Sequence, residues 1–142
     1  MNIEIKEGFC IDLYGFSGTA VNKNWAATGS GLMNKLWQEI KASKLEHKGI
    51  NVWVYEKDNA LFAGIELVSP EKTGMELKQV RVAKYASFKH IGPYQKLGES
   101  YAAMKAELEQ KGIEFCLPFL EVYGHWTPDD SKLETDILFS LR

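Results

Sequence analysis

The sequence predicts an α+β protein made of two β-α-β-β units joined in one pseudo-symmetric antiparallel sheet, with two helices on one face and a cleft between the halves. Two observations predict this. The same order of elements, read from hydrophobic periodicity, occurs twice, over about residues 1–70 and 75–142. The segment Asn51-Val52-Trp53-Val54-Tyr55 also falls on Phe119-Leu120-Glu121-Val122-Tyr123, and Ile65 falls on Ile137. A chain of 142 residues is long enough for one such domain, and the only connection between the halves, Ser69–Gly74, is too short to separate two.

Residues 3–16 read as the first strand, because Ile3, Ile5, Phe9, Ile11 and Leu13 largely alternate. The stretch from Gly15 to Gly31 is rich in Gly, Ser, Thr and Asn and reads as a loop carrying Trp25. Leu32, Met33, Leu36, Trp37 and Ile40 lie at helical spacing. That helix is expected to run to about Lys48 and to stop at Gly49. Strands follow at Ile50–Glu56 and Leu61–Val68, joined by a turn holding Asp58 and Asn59.

In the second half, a long strand passes through Leu77, Val80, Val82, Tyr85 and Phe88 to His90, and Gly92-Pro93 breaks it. A helix over Tyr94–Lys111 has Leu97, Tyr101, Met104 and Leu108 on one face and ends at Gly112. Strands at Phe115–Tyr123 and Leu133–Leu141 are linked by the polar turn Gly124–Lys132.

Composition excludes several classes. Lys+Arg is 17 against Asp+Glu 19, a net charge of −2, so direct nucleic-acid binding is not expected. No apolar run is long enough to span a membrane, and the opening residues alternate rather than form a leader, so a cytoplasmic location is expected. Cys10 and Cys116 are far apart and read as buried free thiols, and His47, His90 and His125 lack ligand spacing, so neither metal nor cofactor is expected. Aromatic residues make up 12% of the chain.

Those aromatics gather around one acid. Side chains alternate along a strand, so Phe119, Glu121 and Tyr123 share a face. The repeat places Trp53 and Tyr55 on the equivalent face of the other half. A carboxylate among rings is costly unless it is solvated, paired to a lysine or matched to a bound cation. Aromatic walls over an acidic floor suit a planar organic cation. Phe62 and Tyr94 are expected at the edges of such a cleft, and Trp25 and Trp126 at its mouth, with Trp25 either a lid or a structural plug. Trp37 and Tyr101 read as core residues of their helices. Glu134 and Asp136 share a face, either as partners of Glu121 in acid–base work or as a solvated strand face.

The run Tyr85-Ala86-Ser87-Phe88-Lys89-His90-Ile91-Gly92-Pro93-Tyr94, the helix Leu97–Gly112, and the strands Leu117-Pro118-Phe119-Leu120-Glu121-Val122-Tyr123 and Leu133-Glu134-Thr135-Asp136-Ile137 resemble the GyrI-like effector-binding domain. This is the ligand domain of multidrug-responsive bacterial transcription activators, and stand-alone integron-cassette modules are similar. The resemblance is specific over 80–141 and looser over 1–70, where Phe62-Ala63-Gly64-Ile65-Glu66 matches. It implies the duplicated fold and a cleft glutamate, at Glu121, that neutralises a lipophilic cationic small molecule. It also implies that a DNA-binding partner would act in trans, because the ligand-domain likeness fills 1–142. Two alternatives come with it: hydrolysis of strained electrophilic small molecules through the same glutamate, and a protein-partner role of the topoisomerase-inhibitor kind.

Overall fold

A computed structural model describes residues 1–69 and 73–142, so half of the connection expected over Ser69–Gly74 falls outside the described residues. The order of elements is β1 (Glu4–Thr19), α1 (Trp25–Ser43), β2 (His47–Tyr55), β3 (Ala60–Leu67), β4 (Glu76–Ile91), α2 (Leu97–Gln110), β5 (Phe115–Tyr123) and β6 (Glu134–Leu141). This is β-α-β-β twice. All strand pairs are antiparallel, in the order β1-β3-β2-β5-β6-β4, and the sheet closes on itself through β1 and β4.

Closure depends on the two 16-residue strands. β1 pairs with β4 from Glu4 to Gly15 and with β3 from Tyr14 to Thr19. At the change of partner, Gly15 lies against both Glu76 and Gly64, and a Cβ there would sit 1.9 Å from the Ala63 carbonyl oxygen. Only glycine allows two backbones to approach so closely. A closed sheet leaves no long strand edge to pair with another chain.

The pleat sorts side chains into two cores. Leu13, Val52, Val54, Phe62, Val80, Val82, Leu120 and Leu138 point into the barrel. The alternate residues point outward, under the helices. Leu36 and Ile40 of α1 pack on Ile65 and Leu67, while Met104 and Leu108 of α2 pack on Ile137 and Phe139. Both helices therefore cover one side of the β3-β2-β5-β6 portion and leave the β2–β5 seam between them.

Three local readings need correction. The Gly15–Gly31 stretch is not a loop: β1 runs to Thr19, a 3₁₀ turn spans Val21–Lys23, and α1 begins at Trp25, capped by the Asn24 side chain accepting from the Ala27 N–H. The cap sets the start, and the buried face of Leu32, Leu36 and Ile40 carries the helix despite the low propensity of the two glycines. Next, α1 ends at Ser43, where Lys44 takes the left-handed conformation (φ 49°), and Gly49 instead serves an irregularity in β2 between His47 and Asn51. The third concerns the repeat. Trp53 pairs with Ala63 and Glu121 with Ile137, so Ile137 is the counterpart of Ala63, two residues from the expected Ile65. A two-residue slip preserves the face, which is why the periodicity did not reveal it. The hairpin turn fits its sequence, with Asp58 and Asn59 both at positive φ (61° and 59°).

Candidate functional site

The β2–β5 ladder sets out the site. Its register is Val52↔Val122, Trp53↔Glu121, Val54↔Leu120 and Tyr55↔Phe119. Trp53, Tyr55, Phe119, Glu121 and Tyr123 thus stand on the helix side of the sheet, and all five line a cleft of about 1060 Å³ between α1 and α2.

Glu121 is the floor of this cleft and is only 4% exposed. Its Oε1 accepts from the Tyr55 hydroxyl at 2.8 Å and from the Tyr123 hydroxyl, and its Oε2 accepts from the Tyr101 hydroxyl at 2.6 Å. Burial, reinforced by the carboxylate charge, pushes all three phenols well above the usual tyrosine value of 10.0. They are held as neutral O–H donors. Among the described residues Glu121 forms no ion pair. Its lone pairs are served by phenolic O–H groups and not by a cationic side chain.

The helices complete the walls in a pseudo-symmetric way. Trp25 at the start of α1 meets Tyr55 edge-on, at 5.2 Å between centroids. Tyr94, before α2, meets Tyr123 in the same way at 5.5 Å. At the centre the halves diverge. In one, Gly29 of α1 admits the Trp53 indole, and a Cβ there would lie 2.0 Å from the ring. In the other, the strand position is Glu121 and the helix position is Tyr101. The second half has exchanged an aromatic packed on glycine for an acid bonded to tyrosine.

Tyr94 is placed by a clasp between β4 and α2. His90 is 6% exposed, its Nε2 lies 3.1 Å from the Pro93 carbonyl, and its Nδ1 lies 2.8 Å from Ser100 Oγ. A carbonyl only accepts, so Nε2 donates to it, while Nδ1 bonds the serine hydroxyl. This fixes the Gly92-Pro93 turn against α2, and with it the position of Tyr94.

The sequence-predicted residues separate clearly. Glu121, Trp53, Tyr55, Phe119 and Tyr123 come together as described, Tyr94 and Trp25 flank them, and Trp126 lies at the mouth, 74% exposed. Phe62 does not belong to the cleft. It pairs with Val54, which points into the barrel, and is 3% exposed in the inner core. Trp25 is not on a loop but on the first turn of α1, packed against Tyr55, where it forms a wall of the cleft. Glu134 and Asp136 lie one strand position out of phase with Ile137, the partner of Glu121, and both pair with Lys89 instead. Cys10, expected buried, is exposed.

Tyr101 is the residue that the helical stripe mis-sorted. Its ring packs on Phe139 at 5.4 Å, as a core residue would, while its hydroxyl reaches Glu121. An acid in the middle of an apolar strand demands donors, and that demand was the available signal. Trp37, half-buried and edge-on to His47 at 5.0 Å, packs against the α1 core as expected and also lines the cleft. Among the described residues no helix is long and apolar enough to cross a membrane, and no three His, Cys, Asp or Glu side chains are grouped to hold a metal.

No family sequence model and no curated protein sequence matches the chain. Solved structures do. The C-terminal domain of EcmrR superposes with a TM-score of 0.74 at 17% identity, covering 99% of this chain and 97% of that one. SAV2435 bound to tetraphenylphosphonium gives 0.70 at 16% identity, covering 100% and 94%. An integron cassette protein from the mobile metagenome of Vibrio cholerae gives 0.60 at 19% identity, covering 99% and 95%. Likeness at this level of identity speaks for architecture, and with the duplicated β-α-β-β order and the inter-helix cleft it establishes that the chain adopts the GyrI-like effector-binding fold.

Proposed function

We propose that this protein binds lipophilic aromatic cations in the cleft, with Glu121 as the counter-charge and Trp53, Tyr55, Phe119 and Tyr123 as the walls. The observation that carries the reading is the state of Glu121: buried, bonded by three phenols, and without an ion-pair partner among the described residues. A buried carboxyl group with no ion-pair partner offers a cation a counter-charge that the protein itself leaves unmatched. An aromatic cation meets that demand while its face stacks on rings whose π-clouds attract positive charge. Further support comes from SAV2435, a protein of the same fold whose structure contains tetraphenylphosphonium. The chain would act as a sensor, a regulator component or a sequestering module in the cytoplasm. In the regulator case a DNA-binding protein would act in trans.

Binding is favoured over hydrolysis by the tyrosines. Both carboxylate oxygens of Glu121 are already held by phenolic O–H donors rather than left free to take a proton from water.

Titration with tetraphenylphosphonium, read by tryptophan fluorescence, tests the proposal. The wild-type protein is expected to bind saturably, and Glu121→Gln is expected to weaken binding by about 30-fold or more, the loss of one desolvated charge contact of roughly 2–5 kcal/mol. Equal affinities for the two proteins, or no saturable binding at all, would sink it.

A further inference from the structure

Charge in the cleft is arranged unevenly along the β2–β5 seam. At the Tyr55–Phe119 end, Lys105 of α2 holds its Nζ 5.6 Å from the Phe119 ring centroid. Lys57 follows Tyr55 by two residues, and Lys23 precedes Trp25, whose ring rests on Tyr55; both also line the cleft. None of these lysines has an ion-pair partner among the described residues. Two acids line the same end. Glu56 is neutralised by Lys78, which leaves Asp58 as the one carboxylate there against three ammonium groups. The opposite end is lined by Met33, Trp37, Asn51, Tyr94, Tyr123 and Trp126 and carries no formal charge.

A cleft meant only for cations gains nothing from three unpaired lysines gathered at one end, because they repel the ligand that Glu121 attracts. The arrangement suits a ligand carrying both signs. Phe119 lies two residues from Glu121, about 7 Å along the strand. A cationic ring system seated over Glu121 would therefore present a substituent toward the lysines on the Phe119 side. We propose that the cleft selects amphoteric aromatic ligands: a delocalised cation over Glu121, with a carboxylate or comparable anionic group held at the Lys23–Lys57–Lys105 end. This rests on the cation-binding reading and narrows it.

A matched pair of xanthylium dyes, one with a free carboxylate and the other its ethyl ester, separates the two ideas. Both carry the same cation, and only the first carries the anion. At low ionic strength, near 0.01 M, the free acid is expected to bind the wild-type protein about fivefold to tenfold more tightly than the ester. The gap should shrink at about 0.15 M, where screening shortens to roughly 8 Å. Lys57→Gln combined with Lys105→Gln should close the gap by weakening the acid while leaving the ester unchanged or tighter. If wild type binds both dyes equally, or prefers the ester, with binding still dependent on Glu121, the amphoteric inference is overturned and the cation reading stands. If neither dye binds saturably, the cation reading falls and this inference with it.

Discussion

Trp53 and Glu121 face each other across the β2–β5 ladder and occupy the same place in the two halves of the chain. The pseudo-twofold axis passes between them. A symmetric duplication would put the same side chain on both sides of that axis. Here one side is an indole seated on a helix glycine and the other a carboxylate held by a helix tyrosine, so the charge sits beside the axis with aromatic surface opposite.

The three phenols are not equivalent. Tyr55 and Tyr123 both donate to Oε1, while Tyr101 alone serves Oε2. Tyr101→Phe strips one oxygen of its donor and is expected to cost about 1–3 kcal/mol. Tyr55→Phe leaves Oε1 with one donor and should cost less, roughly 0.5–1.5 kcal/mol. Urea unfolding midpoints at neutral pH check the order, and equal losses would count against it.

Alkaline pH should loosen the fold through the same cluster. Burial first, then the Glu121 charge, holds the folded-state values of Tyr55, Tyr101 and Tyr123 above the ordinary 10.0. Above pH 10 the unfolded chain gives up these protons while the folded protein keeps them, so rising pH favours unfolding. The stabilisation is fully present below pH 10 and is lost as pH climbs toward the folded-state values, at up to about 1.4 kcal/mol per pH unit for each tyrosine. Absorbance at 295 nm should show these phenols ionising together with unfolding. Smooth ionisation of every tyrosine in a protein still folded would contradict this.

Gly29 and Gly31 lie on the same helix and should respond oppositely to alanine. At Gly29 a Cβ meets the Trp53 ring at 2.0 Å, whereas at Gly31 nothing lies within 4 Å. Gly31→Ala is expected to stabilise the protein by about 0.5–1 kcal/mol through helix propensity. Gly29→Ala must displace Trp53, lowering stability by about 1–3 kcal/mol and changing tryptophan fluorescence. Thermal melts with emission spectra would decide it, and matching shifts for the two variants would be the contrary result.

Phe62→Ala and Trp126→Ala divide core from rim. Phe62 fills the barrel, so its loss should cost about 3–5 kcal/mol and leave ligand affinity in the folded fraction nearly unchanged. Trp126 is 74% exposed at the mouth, so its loss should move stability by less than about 0.5 kcal/mol. A reversal of these sensitivities in denaturation curves would mean that the two residues have been assigned to the wrong environments.

Much of this was written in the chain's order. Strand alternation put Phe119, Glu121 and Tyr123 on one face, and internal similarity paired them with Trp53 and Tyr55, because the period of two is a property of the backbone that any half-buried strand must obey. What lay outside the reach of periodicity was anything depending on which neighbour a residue meets. Phe62 went to the barrel interior because its strand is offset by one position from Tyr55 and Trp53 in the ladder. Tyr101 looked like core because a stripe of apolar positions does not say where a hydroxyl at the end of a ring will point. Trp25 read as loop because two glycines mask a helix whose start is secured by one Asn24 contact. The closing of β1 onto β4, and with it the placing of both helices along one seam, was a tertiary decision: it required the sixteen-residue β1 to change partners at Gly15, a contact between segments far apart in sequence. The sequence alone determined that an acid would stand among rings. The closed sheet determined that three phenols would hold it on the floor of a cleft.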